Sequence, residues 1–303
     1  MSLFKKIKDN GSLLLMTLPA AVLIFTFSYL PMFGLVIAFK DYKYNKGIFG
    51  SSWSGLQNFQ FLFKSGDAFV ITRNTLLYNL VFIIVGMVLA VALAILFDAL
   101  GKSKLMRFNQ TASILPYFLS WVVIGYFVNS FLNSEKGLLN QALVALGGNA
   151  VEWYSEQKYW PYIIPLVHFW KVLGYNSIIY YSTIRGFDTE FYEAAQIDGA
   201  TWFQRLFHVT LPLLKPILIV MLILSIGSIF NTDFGLFYII PKNSGALYPV
   251  TSTVDTYVYN SMMRNSSFGM SSAASFLQSF VGFGLVLTAN AIIRRVSPED
   301  AMF

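Results

Sequence analysis

Glu193-Ala194-Ala195-Gln196-Ile197-Asp198-Gly199, followed further on by Val209 and then Leu211-Pro212, lies in a polar loop between two strongly apolar segments. Phe191, Ala194, Ala195 and Asp198 fall at i, i+3, i+4 and i+7, so a helix gathers them on one face. Two alanines make that face flat enough for a partner to approach closely. Gly199 tolerates backbone angles that other residues resist, and it ends the helix. Thr201 with Gln204 has the spacing of a capping box, which starts a second helix. Trp202, Phe203, Leu206 and Phe207 give that helix an apolar side. Pro212, just after Thr210, suits the first turn of the next helix. The expectation is helix, break, helix, and then a helix into a membrane.

The chain has 303 residues, 56% hydrophobic, 17% aromatic and only 12% charged, where a soluble domain carries about 25% charged residues. An all-α, polytopic membrane protein follows. Apolar stretches of about 17–25 residues, enough to cross a bilayer, fall at 13–39, 76–98, 111–132, 160–182, 212–232 and 273–293, giving six spans. Lys5, Lys6 and Lys8, then Lys102, Lys104 and Arg107, then Arg294 and Arg295 all lie on one side of such a topology. That side is cytoplasmic by the positive-inside rule, and it holds both termini and the Glu193 loop. The outer loop with Lys40, Lys43, Lys46, Lys64 and Arg73 blurs the bias without reversing it. The net charge of +6 therefore reflects topology, and its dispersed cations do not form a nucleic-acid-binding stripe. The first apolar run is too long for a signal peptide and lacks a small-residue cleavage site. With no cysteine, disulfides, thiolate nucleophiles and Cys-ligated metals are excluded. Residues 53–75, with Leu56, Phe59, Phe61, Leu62 and Phe63 and a break at Gly66, read as an outer interfacial helix, either a platform or an amphipathic connector. The polar 240–272 stretch reads as an outer loop with a short helix at 254–259.

The Glu193 stretch resembles the EAA motif, EAA-x₃-G-x₉-I-x-LP, of permease subunits in binding-protein-dependent ABC importers, with Val209 where that family usually has Ile. The motif stands before the penultimate span, where the family has it. Tyr29-Leu30-Pro31-Met32-Phe33-Gly34, Ala38-Phe39-Lys40-Asp41-Tyr42 and Gly55-Leu56-Gln57-Asn58-Phe59 are similar to the N-terminal signature of complex-carbohydrate permeases of the LplB type, within the MalF/MalG-like carbohydrate-uptake family. Asp255-Thr256-Tyr257-Val258-Tyr259 and the terminal Asn290-Ala291-Ile292-Ile293-Arg294-Arg295 extend the likeness over nearly the whole chain. The resemblance implies a first transmembrane helix and outer segment over 1–75, an importer permease core over 76–295 with a coupling loop at 186–211, and a cytoplasmic tail at 296–303. It implies that Glu193, Ala194, Ala195, Asp198 and Gly199 dock onto an ATPase.

It further implies a heterodimer with a second, homologous permease, two copies of a cytoplasmic ABC ATPase, and an extracellular lipid-anchored binding protein in a Gram-positive bacterium. The cargo would be an oligosaccharide, moved by alternating access across the cytoplasmic membrane. This chain would bind no cofactor itself, ATP and Mg being used by the ATPase partner.

The residues agree in what they lack. No Gly-x₄-Gly-Lys-[Ser/Thr] phosphate loop occurs, so no ATP hydrolysis is expected of this chain. His168 and His208 are the only histidines and are too far apart for a metal site or a catalytic triad. Ionisable groups at membrane depth face cavities or protein interiors. His168, Lys171 and Tyr175 sit at i, i+3 and i+7 with Asn176 adjacent. They either line a cargo cavity and bond sugar hydroxyls, or Lys171 snorkels or pairs within the bundle and His168 bonds a backbone carbonyl on a neighbouring helix. Asn231, Asp233 and Gln278, with Trp121 and Tyr126, complete the candidate sugar pathway, a mix of aromatic walls and a few polar groups. The competing class is a secondary transporter or channel for a small polar solute. A proton-coupled carrier would hold mid-span acids. Here Asp98 and Asp233 lie at span ends, and no inverted repeat is evident.

Overall fold

In the computed structural model, residues 10–64, 66–101, 103–265 and 267–296 are described. Lys5, Lys6, Lys8 and Lys102, and all of the expected tail except Val296, lie outside them. The described chain is mostly helical, with connecting loops and an antiparallel pair of two-residue strands, Lys40–Asp41 with Ser52–Trp53.

Two compact units are formed. The smaller combines the chain up to Ser65 with Val258–Leu277, and the larger combines Gly66–Tyr257 with the chain from Gln278 onward. In the smaller unit the first span runs Gly11–Phe39, and its apolar side chains, Leu15, Met16 and Phe27 among them, are exposed, as lipid contact requires. Asn58 explains one of the signature segments: its Nδ2 donates to the Ala38 and Lys40 carbonyls, each at 2.9 Å. That fixes the turn from the span into the strand pair over a small core of Ala38, Phe59 and Ala273.

Among the described residues, four helices are long and apolar enough to cross a membrane: Gly11–Phe39, Gly66–Ala99, Trp202–Gly227 and Phe268–Arg295. A bent pair, Lys104–Phe118 with Trp121–Leu132, would make a fifth. The six-span expectation is corrected in several places. The segment expected at 160–182 is the 26-residue helix Trp160–Arg185. At 1.5 Å per residue it is about 39 Å long, enough to span, but His168, Lys171, Asn176 and Ser177 make its middle too polar to pass as apolar. The span expected at 111–132 is not straight: its two halves meet at 102°, broken at Leu119–Ser120, where the Ser120 hydroxyl caps the second half by accepting from Val123 N. The interfacial helix expected to reach 75 stops at Lys64, and residues 66–75 instead open the 34-residue helix Gly66–Ala99.

The break expected ahead of Pro212 is also absent. Trp202–Gly227 is one continuous helix of 26 residues, with a wide π turn at Leu206–Thr210. Pro212 has no N–H to give and its ring crowds the carbonyl four residues back. A widened turn relieves that crowding without ending the helix.

The larger unit has two apolar centres. One gathers Tyr78, Ile124, Trp160, Ile164, Leu236, Phe237, Ile240 and Leu247. The other gathers Ala90, Val91, Ala94, Tyr180, Ile184 and Leu214. Gly66–Ala99 and Trp160–Arg185 pack closely along both. Small residues make this possible, as in membrane helix pairs generally. Trp160–Arg185 also closely approaches Lys104–Ile114: at Gly174 a Cβ would overlap the backbone carbonyl of Ser113, so any side chain there pushes those two helices apart. Gly174→Ala should therefore cost about 1–3 kcal/mol or more and lower the melting temperature of the purified complex by several degrees. Gly284→Ala, where a Cβ meets nothing within 4 Å, should leave it unchanged. Equal melting curves for the two variants would refute the close approach.

Candidate functional site

A cavity of about 240 Å³ opens between Gly66–Ala99, Trp160–Arg185 and the end of Trp202–Gly227. Its polar lining comes from Asn79, His168, Asn176, Tyr180, Ser225, Ser228 and Asn231. His168 lies flat on Phe82, with ring centroids 3.8 Å apart and planes 13° from parallel, and its buried Nδ1 has no hydrogen-bond partner among the described residues. Asn79 Nδ2 donates to the Ile229 and Asn231 carbonyls at 2.7 and 3.0 Å. Gln278 Nε2 donates to Asn231 Oδ1 at 2.5 Å, to Phe230 O at 2.6 Å and to Asp255 Oδ1 at 3.2 Å. These bonds hold the unwound 228–233 segment as a fixed rim.

Of the nine pathway candidates, the cavity brings together His168, Asn176 and Asn231, with Gln278 supporting Asn231 from behind. Lys171, Tyr175, Trp121 and Asp233 form a different cluster, at the 102° bend. Buried Lys171 donates through Nζ to Tyr117 O at 3.0 Å and Leu119 O at 2.5 Å, and lies 5.0 Å from the Trp121 ring centre. Trp121 Nε1 donates to Asp233 Oδ2 at 2.7 Å, whose other oxygen accepts from Gly235 N at 3.0 Å. Tyr175 stacks on Tyr117 with centroids 4.1 Å apart. The i, i+3, i+7 row therefore divides: His168 turns to the cavity, while Lys171 and Tyr175 turn to the bend. Tyr126 is 71% exposed and belongs to neither cluster.

Asn79, Tyr180, Ser225 and Ser228 also line the cavity and were not among the residues expected from the sequence. An asparagine inside an otherwise apolar run was the available signal for Asn79. The two serines are common enough in membrane helices to give none.

The polar loop folds much as its residues dictate. Asp188 caps the helix Thr189–Ile197 by accepting from Glu190 N at 3.0 Å, a cap legible in Asp-Thr-Glu but not read there. Asp198 is the C-terminal cap, and Gly199 follows at φ +76°, with Ala200 N donating to Ala195 O at 2.9 Å. The capping box is present: Thr201 N donates to Gln204 Oε1 at 2.7 Å and Gln204 N to Thr201 Oγ1 at 3.4 Å. The Tyr192 hydroxyl meets Thr210 Oγ1 at 3.2 Å and ties this helix to the long one. No residue of Thr189–Ile197 is buried. Glu193 and Ala194 are exposed and Ala195 half-buried, and Phe191, Ile197 and Phe203 present bare apolar surface.

Lys171→Met removes the side-chain donor that reaches both bend carbonyls. It should lower the stability of the purified complex by about 1–3 kcal/mol, read as a fall in melting temperature in detergent. Lys171→Arg, which keeps a donor, should lose less. A Lys171→Met protein as stable as the parent would show that the bend holds without the ammonium.

Residues 83–298 match the family described as the binding-protein-dependent transport system inner membrane component. The polygalacturonan/rhamnogalacturonan transport system permease protein YteP of Bacillus subtilis (strain 168) is 32% identical over 294 residues, covering 97% of this chain and 91% of that protein. Protein LplB of the same organism is 31% identical, covering 97% and 92%. A crystal structure of a bacterial ABC transporter involved in the import of the acidic polysaccharide alginate superposes with a TM-score of 0.88 at 28% identity, over 97% of this chain and 99% of the chain matched. This chain belongs to the family of binding-protein-dependent transport system inner membrane components.

Proposed function

We propose that this chain is the pore-forming subunit of an ABC importer for oligosaccharides in the cytoplasmic membrane, with both termini in the cytoplasm and six crossings once Trp160–Arg185 and the bent pair are each counted. It works beside a second permease, receives sugar from an external binding protein, and is driven by two copies of a separate ATPase, which hydrolyse ATP with Mg. The division read from the sequence, with a first span and outer segment, a core from 76 to 295 and a tail from 296, is part of this proposal. Relatives named for polygalacturonan, rhamnogalacturonan and arabinooligosaccharide transport support the cargo class.

One observation carries the coupling role: a short helix with no buried residue, ended by a left-handed glycine, sits at the root of a long continuous helix. Glu193, Ala194, Ala195 and Asp198 offer a small, acidic docking face. A push there passes through the Tyr192–Thr210 contact and Gly199–Thr201 into Trp202–Gly227. That helix is about 39 Å long by its rise per residue, and its far end supplies Met221 and Ser225 to the cavity wall. Displacement by a closing ATPase dimer is thus delivered to the cargo cavity, which alternating access requires. In that cavity His168, Asn176 and Asn231 meet sugar hydroxyls.

Gly199→Val tests this. A Cβ at Gly199 has open space, so the fault lies in the backbone: a β-branched residue resists φ +76°. Membrane insertion should be normal. ATPase co-purification should fall, or ATP-driven uptake in reconstituted vesicles should drop at least tenfold while hydrolysis continues. Normal co-purification together with normal uptake would refute the coupling role.

A further inference from the structure

The cavity wall carries no charge: among its described lining residues there is no Asp, Glu, Lys or Arg. Charged side chains nearby are turned to other partners. Lys171 holds the Tyr117 and Leu119 carbonyls, Asp233 holds Trp121 and Gly235, and Asp255 accepts from Thr232 N at 2.6 Å and from Gln278.

What remains in the wall are carboxamides, hydroxyls and one imidazole, each able to donate and to accept. A sugar hydroxyl does both as well, so these groups pair with it fully, where an ammonium or guanidinium only donates. A carboxylate has different needs. Taken out of water without a cation, it loses solvation that neutral donors restore only in part. Phe82 and His168 add a flat ring surface suited to the apolar face of a pyranose. Half-buried Asn176 makes no side-chain hydrogen bond to any described residue, so its amide is available.

We propose that the sugar unit passing this wall is uncharged, and that Asn176 reads its hydroxyls. The proposal rests on the cavity being the cargo path. It sets this chain apart from the importer named for an acidic polysaccharide and from the relative named for polygalacturonan, whose units also carry carboxylates.

The native chain has no cysteine, so a single introduced thiol reports locally. Asn176→Cys and, separately, the near-isosteric Ser228→Cys would be placed in the complete importer in membrane vesicles. Each would be treated with an anionic sulfonate or a cationic trimethylammonium methanethiosulfonate reagent of similar size, with and without ATP, and labelling read on this chain by mass. Relative to free cysteine, the anionic-to-cationic rate ratio should stay within threefold or favour the cation. An anionic preference above threefold at either position would mean a cationic pathway suited to acidic sugar, and would overturn the proposal while leaving the cargo path intact. If neither thiol is labelled by either reagent in any nucleotide condition, the cavity is not an aqueous path, and the reading beneath the proposal falls with it.

Discussion

A helix that breaks inside a bilayer exposes carbonyls that no water will satisfy, and each unsatisfied group costs several kcal/mol. Here the 102° bend at Leu119–Ser120 is made tenable by one ammonium, Lys171, which reaches the Tyr117 and Leu119 carbonyls from the neighbouring helix. The charge in turn is embedded between aromatic faces, Trp121 and Tyr117, with the Asp233 carboxylate one residue further along through the indole. The bend, Trp160–Arg185 and the 228–233 segment are thereby fixed to one another. The cavity on the other side of Trp160–Arg185 takes its shape from that arrangement.

The two polar features of Trp160–Arg185 thus divide the labour. Lys171 and Tyr175 hold the bend on one face, while His168 and Asn176 line the cavity on another. On an isolated helix all four would read as a single polar stripe. Only the packing of two neighbours, one against each side, separates them. Charge is thereby confined to the structural side and neutral hydrogen-bonding groups to the cavity side.

Much of this was legible in the chain. The helix–glycine–capping-box sequence at 189–205 folds as written, because each signal is local: Gly199 fixes a backbone angle, and Thr201 with Gln204 satisfies two amide groups. The apolar character of most spans followed from composition. Their interruptions did not. The bend at Leu119–Ser120 has no signal beyond Pro116 and Ser120, and it exists because a lysine 52 residues later supplies the missing donor. Pro212 pointed to a helix start, yet the chain absorbs it in a π turn, because continuing the long helix keeps backbone bonds that a break would forfeit. The i, i+3, i+7 row placed Lys171 with His168, since spacing fixes angular neighbours on one helix but not what stands opposite them.

The polarity of Trp160–Arg185 also bears on how the protein is made. A lysine near the middle of a nascent helix raises the cost of leaving the translocation channel for lipid by about 2.5–3.5 kcal/mol, and His168 and Asn176 add to it. The carbonyls that receive the Lys171 ammonium, and the Phe82 ring that covers His168, belong to segments synthesised earlier. Waiting at the channel mouth, those segments give Trp160–Arg185 a protein surface to partition into instead of bare hydrocarbon. The order of elements along the chain is then also an order of assembly, in which the bend is held open, incomplete, until the helix that closes it emerges from the ribosome.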